Sequence, residues 1–515
     1  MSERPARRLL RGLMPVLAGA GVALGQAPYD LLWLALAALA LALSLGQRAG
    51  SAGGAARTGW GVGLGFGLIT FVWIVEPFLV YPERDGWLAP FALFFMASGV
   101  ALFWALGFWL AHRLSGAGGG AARVLALPVG LTLAEMLRAH VLTGFPWGLT
   151  AYVWLETPFY QLAAFGGPHA LTLATLLIAS ALASAIRHRQ AAPAGLALAA
   201  VAFGLAAGAW LQERPLADGR QKVPVVRLIQ PNADQRQKWD PAMMPLFYER
   251  QLRLSAAPGA APVDLVIWPE VAVPFLLNDA TAPWDEIAAA AGGAPVVLGA
   301  QRLEWGPQGQ RAFNSLAVIE PGGRIATIHD KYHLVPFGEY IPARAVFERL
   351  GLAALAAQYG SGYTAGPGPE LIDLGPLGRA QPLICYEAIF PHEIRRVEGR
   401  PDFMLMLTND AWFGKAIGPY QHLAQARARA IEFSLPMLRA ANTGVSAVID
   451  ARGRIVAQLP LGVDGLLDAA LPPAGGATLY WRAGDLPVFL LLIVLAAAVM
   501  HLARRKAIDP SASGM

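Results

Sequence analysis

Cys385 is the only cysteine in 515 residues. It follows the short apolar run Pro382-Leu383-Ile384 and precedes Tyr386-Glu387, the pattern of a buried strand running into a tight turn. A lone thiol cannot close an intramolecular disulfide, so it is either a small core residue or a reactive group. Two other stretches favour the reactive group. Trp268-Pro269-Glu270 and Asp330-Lys331-Tyr332-His333 also put an ionisable residue at the end of an apolar run. A glutamate, a lysine and a cysteine presented this way suit a base, a charge stabiliser and a nucleophile. A cysteine attacks a carbonyl as its thiolate, so a neighbour must take the proton. Histidine is the commonest partner, but only His392 lies near Cys385 in the chain. Glu270 can fill that role, and Lys331 can stabilise the oxyanion of a tetrahedral intermediate.

The elements that must hold these groups lie between residues 221 and 475, where short apolar runs alternate with helical stretches. Strands are expected at Val223–Ile229, Leu265–Trp268, Ala294–Leu298, Leu316–Glu320, Arg324–His329, Leu383–Cys385, Phe403–Thr408 and Ser446–Asp450. Helices are expected at Pro241–Ala256, Trp284–Ala291 and Tyr420–Phe433. This alternation predicts an α/β fold with a sheet covered by helices. Pro321-Gly322-Gly323 reads as a hairpin turn. No P-loop and no glycine fingerprint appears, and the nine histidines show no metal-ligand spacing, so no cofactor or metal is expected.

The remaining chain is different. Hydrophobic residues make up 55% of the whole and charged residues 15%, and the mean hydropathy is +0.45. The apolar excess is concentrated in 9–211 and 486–503. Seven spans are predicted near 11–26, 29–46, 60–80, 88–112, 122–141, 160–187 and 193–211, and an eighth at Leu486–Ala503. Each is near the ~20 residues that cross a bilayer. The division is therefore a membrane domain over 1–211, a catalytic domain over 212–485, and a final span with its tail over 486–515. Arg4, Arg7, Arg8 and Arg11 precede the first run; a cleaved signal peptide is rejected because further spans follow at once. Basic residues gather at the N-terminus, at Arg48 and Arg57, Arg113 and Arg123, Arg187 and Arg189, and at Arg504-Arg505-Lys506. The positive-inside rule then places both termini in the cytoplasm and 212–485 outside it. The net charge of +5 belongs to these loops and shows no nucleic-acid surface. Phe145-Pro146-Trp147-Gly148 and Tyr152-Val153-Trp154 read either as an aromatic belt or as a lipid-entry surface.

Longer stretches around these groups carry a resemblance. Glu270, Lys331 and Cys385 in this order, separated by roughly sixty and then fifty residues, resemble the Glu–Lys–Cys constellation of the nitrilase (carbon–nitrogen hydrolase) superfamily. Lys331-Tyr332-His333-Leu334-Val335-Pro336-Phe337-Gly338-Glu339-Tyr340-Ile341-Pro342 and Thr408-Asn409-Asp410-Ala411-Trp412-Phe413-Gly414 resemble the apolipoprotein N-acyltransferase family, and so does the order of spans. The resemblance implies an α-β-β-α sandwich on a multi-span helical membrane domain. It implies ping-pong transfer of an acyl chain from a phospholipid, the sn-1 chain of phosphatidylethanolamine. The acceptor would be the N-terminal amine of a diacylglyceryl apolipoprotein, in the inner membrane of a bacterium. Cys385 would form a thioester, Glu270 would be the base, and Lys331 would stabilise the oxyanion. Glu339 aligns with a further glutamate, although it could simply orient Lys331. Tyr386 and Glu387 flank the nucleophile, and Glu387 could equally cap backbone. Trp412 and Phe413 suit a pocket wall. Trp239 resembles the tryptophan of a substrate-gating loop, with ordinary packing as its other reading; Pro231 stands where the family often has glycine.

Three smaller readings remain. Arg427, Arg429 and Arg439 are expected in ion pairs, and Asn442-Thr443-Gly444 in a structural turn. The stretch Ala356–Gly368, rich in Gly, Ala and Tyr, is the expected lid. The rivals are a membrane-anchored amidase and a transporter with a large outer binding domain. A transporter needs polar residues inside its spans, and Glu135 is the main one present.

Overall fold

The computed structural model describes residues 5–116, 121–216, 218–279, 282–307, 309–343, 349 and 362–508. Longer helices are numbered here in chain order. In the N-terminal region they are α1 (Pro5–Ala23), α2 (Leu32–Gln47), α3 (Ala52–Thr70), α4 (Ala89–Ser115), α5 (Ala121–His140), α6 (Ala163–His188) and α7 (Ala191–Glu213). The catalytic part holds α8 (Met244–Ala256), α9 (Trp284–Ala290) and α10 (Gly418–Phe433), and α11 (Leu486–Ile508) ends the chain.

A helix occurs at each of the eight expected spans, but fewer than eight qualify as membrane spans by length and composition. Four do so: the stretches ending α4, α6 and α7, and the one within α11. A fifth counts if α3 and the 3₁₀ segment Val72–Leu79, bent by 46°, form one broken span. The reasons are physical. The 16 residues of α2 reach only ~24 Å against a hydrocarbon core of ~30 Å. The apolar part of α1 is Gly12–Ala23, and α5 carries Arg123, Glu135 and Arg138. These helices still pack together closely. Along α3, Gly59, Gly63 and Gly67 face α4, where an added Cβ would lie 2.6–2.8 Å from Trp104 O, Ala101 Cα and Ala97 Cα. Small residues four apart let two backbones approach within an apolar bundle.

The catalytic part is two stacked six-stranded sheets. The first runs in the order β12-β1-β2-β3-β4-β5, the second β11-β10-β9-β8-β7-β6. Their strands are β1 (Val225–Gln230), β2 (Leu265–Ile267), β3 (Val296–Gly306), β4 (Gly309–Ile319), β5 (Ile325–Asp330), β6 (Ile372–Asp373), β7 (Arg379–Ile384), β8 (Phe403–Thr408), β9 (Met437–Ala441), β10 (Ser446–Ile449), β11 (Ile455–Leu459) and β12 (Gly465–Ala470). β1, β2 and β3 are parallel, as are β7, β8 and β9; the outer strands are antiparallel. Leu228, Ile267 and Val297 meet Ile384, Leu405 and Leu438 between the sheets. α8 and α9 cover the first sheet and α10 the second, an α-β-β-α sandwich. The two central parallel strands are buried on both faces, which is why β8 reads as the unbroken apolar run Phe-Met-Leu-Met-Leu.

The expected strands are present, and the Pro321-Gly322-Gly323 turn joins β4 to β5. β3 and β4 are far longer than their apolar runs because their polar halves pair across the hairpin. Glu304 opposes Arg311, and the Arg302 guanidinium sits 4.3 Å from the Phe313 ring. The expected helix Tyr420–Phe433 is present within α10, and Met437–Ala441 beyond it is a buried strand that was not expected.

The aromatic loop is not a belt. Trp147 and Trp154 are fully buried. Trp154 stacks on Phe159 and donates to Thr175, and Trp147 reaches the catalytic part. Glu135 accepts from Thr150 and Thr172, so it ties the loop to α6. Of the expected lid, residues 356–361 lie outside the described residues. In the described remainder Tyr363 accepts from Gln301, and its N–H bonds Glu339 O at 2.8 Å. Arg427 pairs with Glu156, Arg429 with Glu432 at 2.5 Å and Arg439 with Asp410 at 2.5 Å.

Candidate active site

Glu270, Lys331 and Cys385 come from different strands. Lys331 directly follows β5, Cys385 directly follows β7, and Glu270 stands three residues past β2. Strand ends of an α/β sheet are where side chains leave the ladder and face a crevice. The Glu270 turn lies against β3 because residue 299 is glycine; a Cβ there would be 2.7 Å from Glu270 Cα and 2.5 Å from Val271 N. Cys385 has φ of +52°, a left-handed conformation that costs a residue with a Cβ about 1–2 kcal/mol. Such a turn must be held from outside.

The holding group is Glu387. Its Oε1 accepts from Tyr332 N at 2.7 Å and His333 N at 3.1 Å, and its Oε2 accepts from Ile384 N at 2.7 Å. One buried carboxylate therefore clamps the nucleophile turn to the lysine loop. Burial pushes the Glu387 carboxyl up, while His329, Lys331 and the N–H donors pull it back. Glu387→Ala removes three backbone bonds at once. We expect a loss of about 1–3 kcal/mol per buried donor left unpaired, measured as a lower thermal unfolding midpoint in detergent.

Lys331 is buried and faces two carboxylates. Nζ lies 2.9 Å from Glu339 Oε1 and 3.5 Å from Glu270 Oε1. Burial alone would lower its pKa, but these carboxylates outweigh it and hold the ammonium charged. Glu339 Oε2 also accepts from Val335 N at 2.8 Å, so Glu339 is fixed as the partner of Lys331. Asn314 donates to Glu270 at 2.8 Å and Glu339 at 3.2 Å, and Asn409 N donates to Glu270 Oε2 at 2.9 Å. Cys385 is 5% exposed. Burial, reinforced by the negative Glu270, pushes its thiol well above the ordinary range; Lys331 and the Thr408 hydroxyl oppose this. The resting group is a thiol, which needs a base during attack.

The other expected residues are less central. Tyr386 is buried against His333 and Phe390. Phe413 wedges between the two halves of the protein, edge-on to Trp73 at 5.0 Å and near Trp147 at 5.5 Å. Trp412 is half-exposed. Trp239 is also half-exposed, at a small cleft with Pro269, Val271 and Tyr248. Its neighbour Lys238 donates to the Glu270 carbonyl, and burial pushes that ammonium down to about 8. Asn442 bonds Ala233 and Asn409, so its turn ties β9 to the loop after β1. His329 and His333 bind Glu370 and Glu393, and no group among the described residues could hold a metal ion. Reading the sequence missed Asn314 and His422. Thr408 and Asp410 stood in the quoted motif and Arg439 among the expected ion pairs, but nothing in the sequence grouped them behind the nucleophile.

Comparison with known proteins identifies the family. The carbon-nitrogen hydrolase family model matches residues 226–479, and the model of the apolipoprotein N-acyltransferase N-terminal domain matches 18–181. A curated apolipoprotein N-acyltransferase of Rhodopseudomonas palustris is 39% identical over 95% of both chains. The chain belongs to the apolipoprotein N-acyltransferase family. A Caulobacter vibrioides member is 40% identical over 86% of this chain and 84% of its own. Among solved structures, a CN-hydrolase superfamily protein from Xanthomonas campestris covers 52% of this chain and 97% of its own, at 22% identity and a TM-score of 0.35. Family membership makes this a membrane protein and an enzyme.

Proposed function

We propose that this enzyme transfers a fatty acyl chain from a phospholipid to the N-terminal amine of a diacylglyceryl apolipoprotein, through a thioester on Cys385. In the first half-reaction Glu270 takes the thiol proton as Sγ attacks the ester carbonyl carbon. The oxyanion develops beside Lys331, the ester C–O bond breaks, and the proton passes to the departing lysophospholipid. In the second half the acceptor amine attacks the thioester, the C–S bond breaks, and the amine's proton returns to sulfur. Neither half needs a cofactor. Glu339 holds Lys331, Trp412 and Phe413 border the site, and Trp239 gates it.

The observation that carries the reading is the convergence of Glu270, Lys331 and Cys385 in a domain packed directly on apolar helices. Tyr386, Ile389 and Phe390, next to the nucleophile, share one apolar cluster with residues of α1 to α6 and α11. A lipid-anchored donor and acceptor require a site at that level. α1, α2 and α5 lie in the same cluster, which supports eight membrane helices divided from the catalytic domain near residues 211 and 485. The basic loops support cytoplasmic termini and a periplasmic catalytic domain in the inner membrane. Phosphatidylethanolamine, through its sn-1 chain, is the proposed donor.

The test is intact-mass analysis. Incubation with phosphatidylethanolamine should add one acyl chain, and a peptide bearing diacylglyceryl cysteine should remove it and gain the same mass at its amine. Release of free fatty acid without a modified peptide would sink the transferase reading in favour of a hydrolase.

A further inference from the structure

Behind Cys385 lies a buried polar set that the mechanism above leaves unused. His422, on α10, is fully buried. Its Nε2 lies 3.2 Å from the Cys385 carbonyl oxygen, and its Nδ1 lies 2.9 Å from Asp410 Oδ1 and 3.3 Å from Arg439 Nη2. Asp410 also accepts from Arg439 at 2.5 Å and from the Thr408 hydroxyl at 2.9 Å. A carbonyl oxygen only accepts, so Nε2 carries the hydrogen. That holds whether Nδ1 accepts from Arg439 or donates to Asp410. His422 thus donates to the backbone of Cys385 itself, whose left-handed φ needs external support.

The other face of the imidazole belongs to the helical region. The Trp147 ring stacks on His422, with centroids 5.6 Å apart and planes 24° apart, and its Nε1 donates to Gln421 at 2.7 Å. Trp147 is itself fixed from below. Arg138 on α5 donates to the carbonyls of Phe145 at 2.9 Å and Trp147 at 2.7 Å, and Glu135 one turn earlier binds Thr150. A continuous buried path therefore runs from α5 through Trp147 and His422 to the Cys385 carbonyl.

We infer that His422 and Trp147 are positioning residues for the nucleophile, through which the helical region sets the aim of the thiol. Glu387 holds the flanking Ile384 N–H, and His422 holds the Cys385 carbonyl itself, so losing the imidazole frees the strained residue on one side. Relaxation would swing Sγ away from Glu270 and Lys331. The inference rests on the acyl-transfer reading only for its second readout.

The first readout is alkylation of Cys385 by iodoacetamide in the full-length detergent-solubilised protein; the second is the rate of acyl-adduct formation with phosphatidylethanolamine. His422→Leu and Trp147→Ala should slow both, by about 10²-fold, the scale of a 1 Å misplacement. His422→Gln can reach the same carbonyl with an amide N–H, and Trp147→Phe keeps a ring against the imidazole; both should recover most of the loss. The sign decides. A merely structural role would loosen the core and expose a 5%-accessible thiol, so faster alkylation in His422→Leu would overturn the inference. Unchanged alkylation, or no rescue by glutamine, would also overturn it. Should the wild type form no acyl adduct, the acyl-transfer reading fails, while the alkylation comparison still tests the positioning.

Discussion

Cys385→Ala gains no mass from phosphatidylethanolamine and transfers no acyl chain to a diacylglyceryl peptide. The expected loss is about 10⁴-fold or more, since removing a nucleophile ends covalent catalysis and leaves only binding and the oxyanion site. The fold should survive. Alanine keeps the Cβ, makes no new demand at φ of +52°, and deletes a single buried atom. The clamp from Glu387 to Ile384 and the His422 contact to the carbonyl both act through backbone, so the turn stays in place. Intact-mass analysis of wild type and variant in parallel, with hydroxylamine release of any adduct, is the check. An adduct persisting in Cys385→Ala would move the nucleophile elsewhere, and no second cysteine exists to receive it.

The three central residues were legible because each sits where an apolar run stops, and a strand end is where a side chain can leave the sheet. The order of elements followed for the same reason: β2 and β8 are short, buried and almost wholly apolar, and β7 ends in the buried apolar run Pro382-Leu383-Ile384. Other parts were hidden for definite reasons. The inner strand that carries Arg439 was not expected, because an arginine inside a buried strand makes sense only with Asp410, 29 residues away, to neutralise it. Asn314 is one polar residue among several in β4, and its contacts to Glu270 and Glu339 depend on chain 44 and 25 residues distant. Trp147 looked like an interfacial aromatic because its partner, Gln421, is 274 positions on. Fewer than eight helices qualify as spans by length and composition because α1 and α2 are short in apolar length and α5 carries Arg123, Glu135 and Arg138, two of them for the loop that it anchors. Glu387 was visible as a neighbour of Cys385, but its role depends on N–H groups of the lysine loop, which only the fold brings near.

Glu270→Gln and Lys331→Met should both cripple acylation while moving the thiol in opposite directions. Each removes a group from the tetrahedral step. Loss of a general base costs about 10²–10⁴-fold, and loss of an oxyanion stabiliser about 10²–10³-fold. Their effects on the thiol differ in sign. The negative Glu270 helps to raise the Cys385 pKa, and Lys331 lowers it. Glutamine at 270 therefore lets the thiolate form at lower pH, so the midpoint of the pH profile for iodoacetamide alkylation moves down. Methionine at 331 removes the opposing cation and moves that midpoint up. The two profiles can be measured on the free enzyme without lipid, and the two acylation rates with it. Midpoints moving the same way in both variants would contradict the arrangement, since no placement of one anion and one cation around a thiol gives shifts of equal sign when each is neutralised.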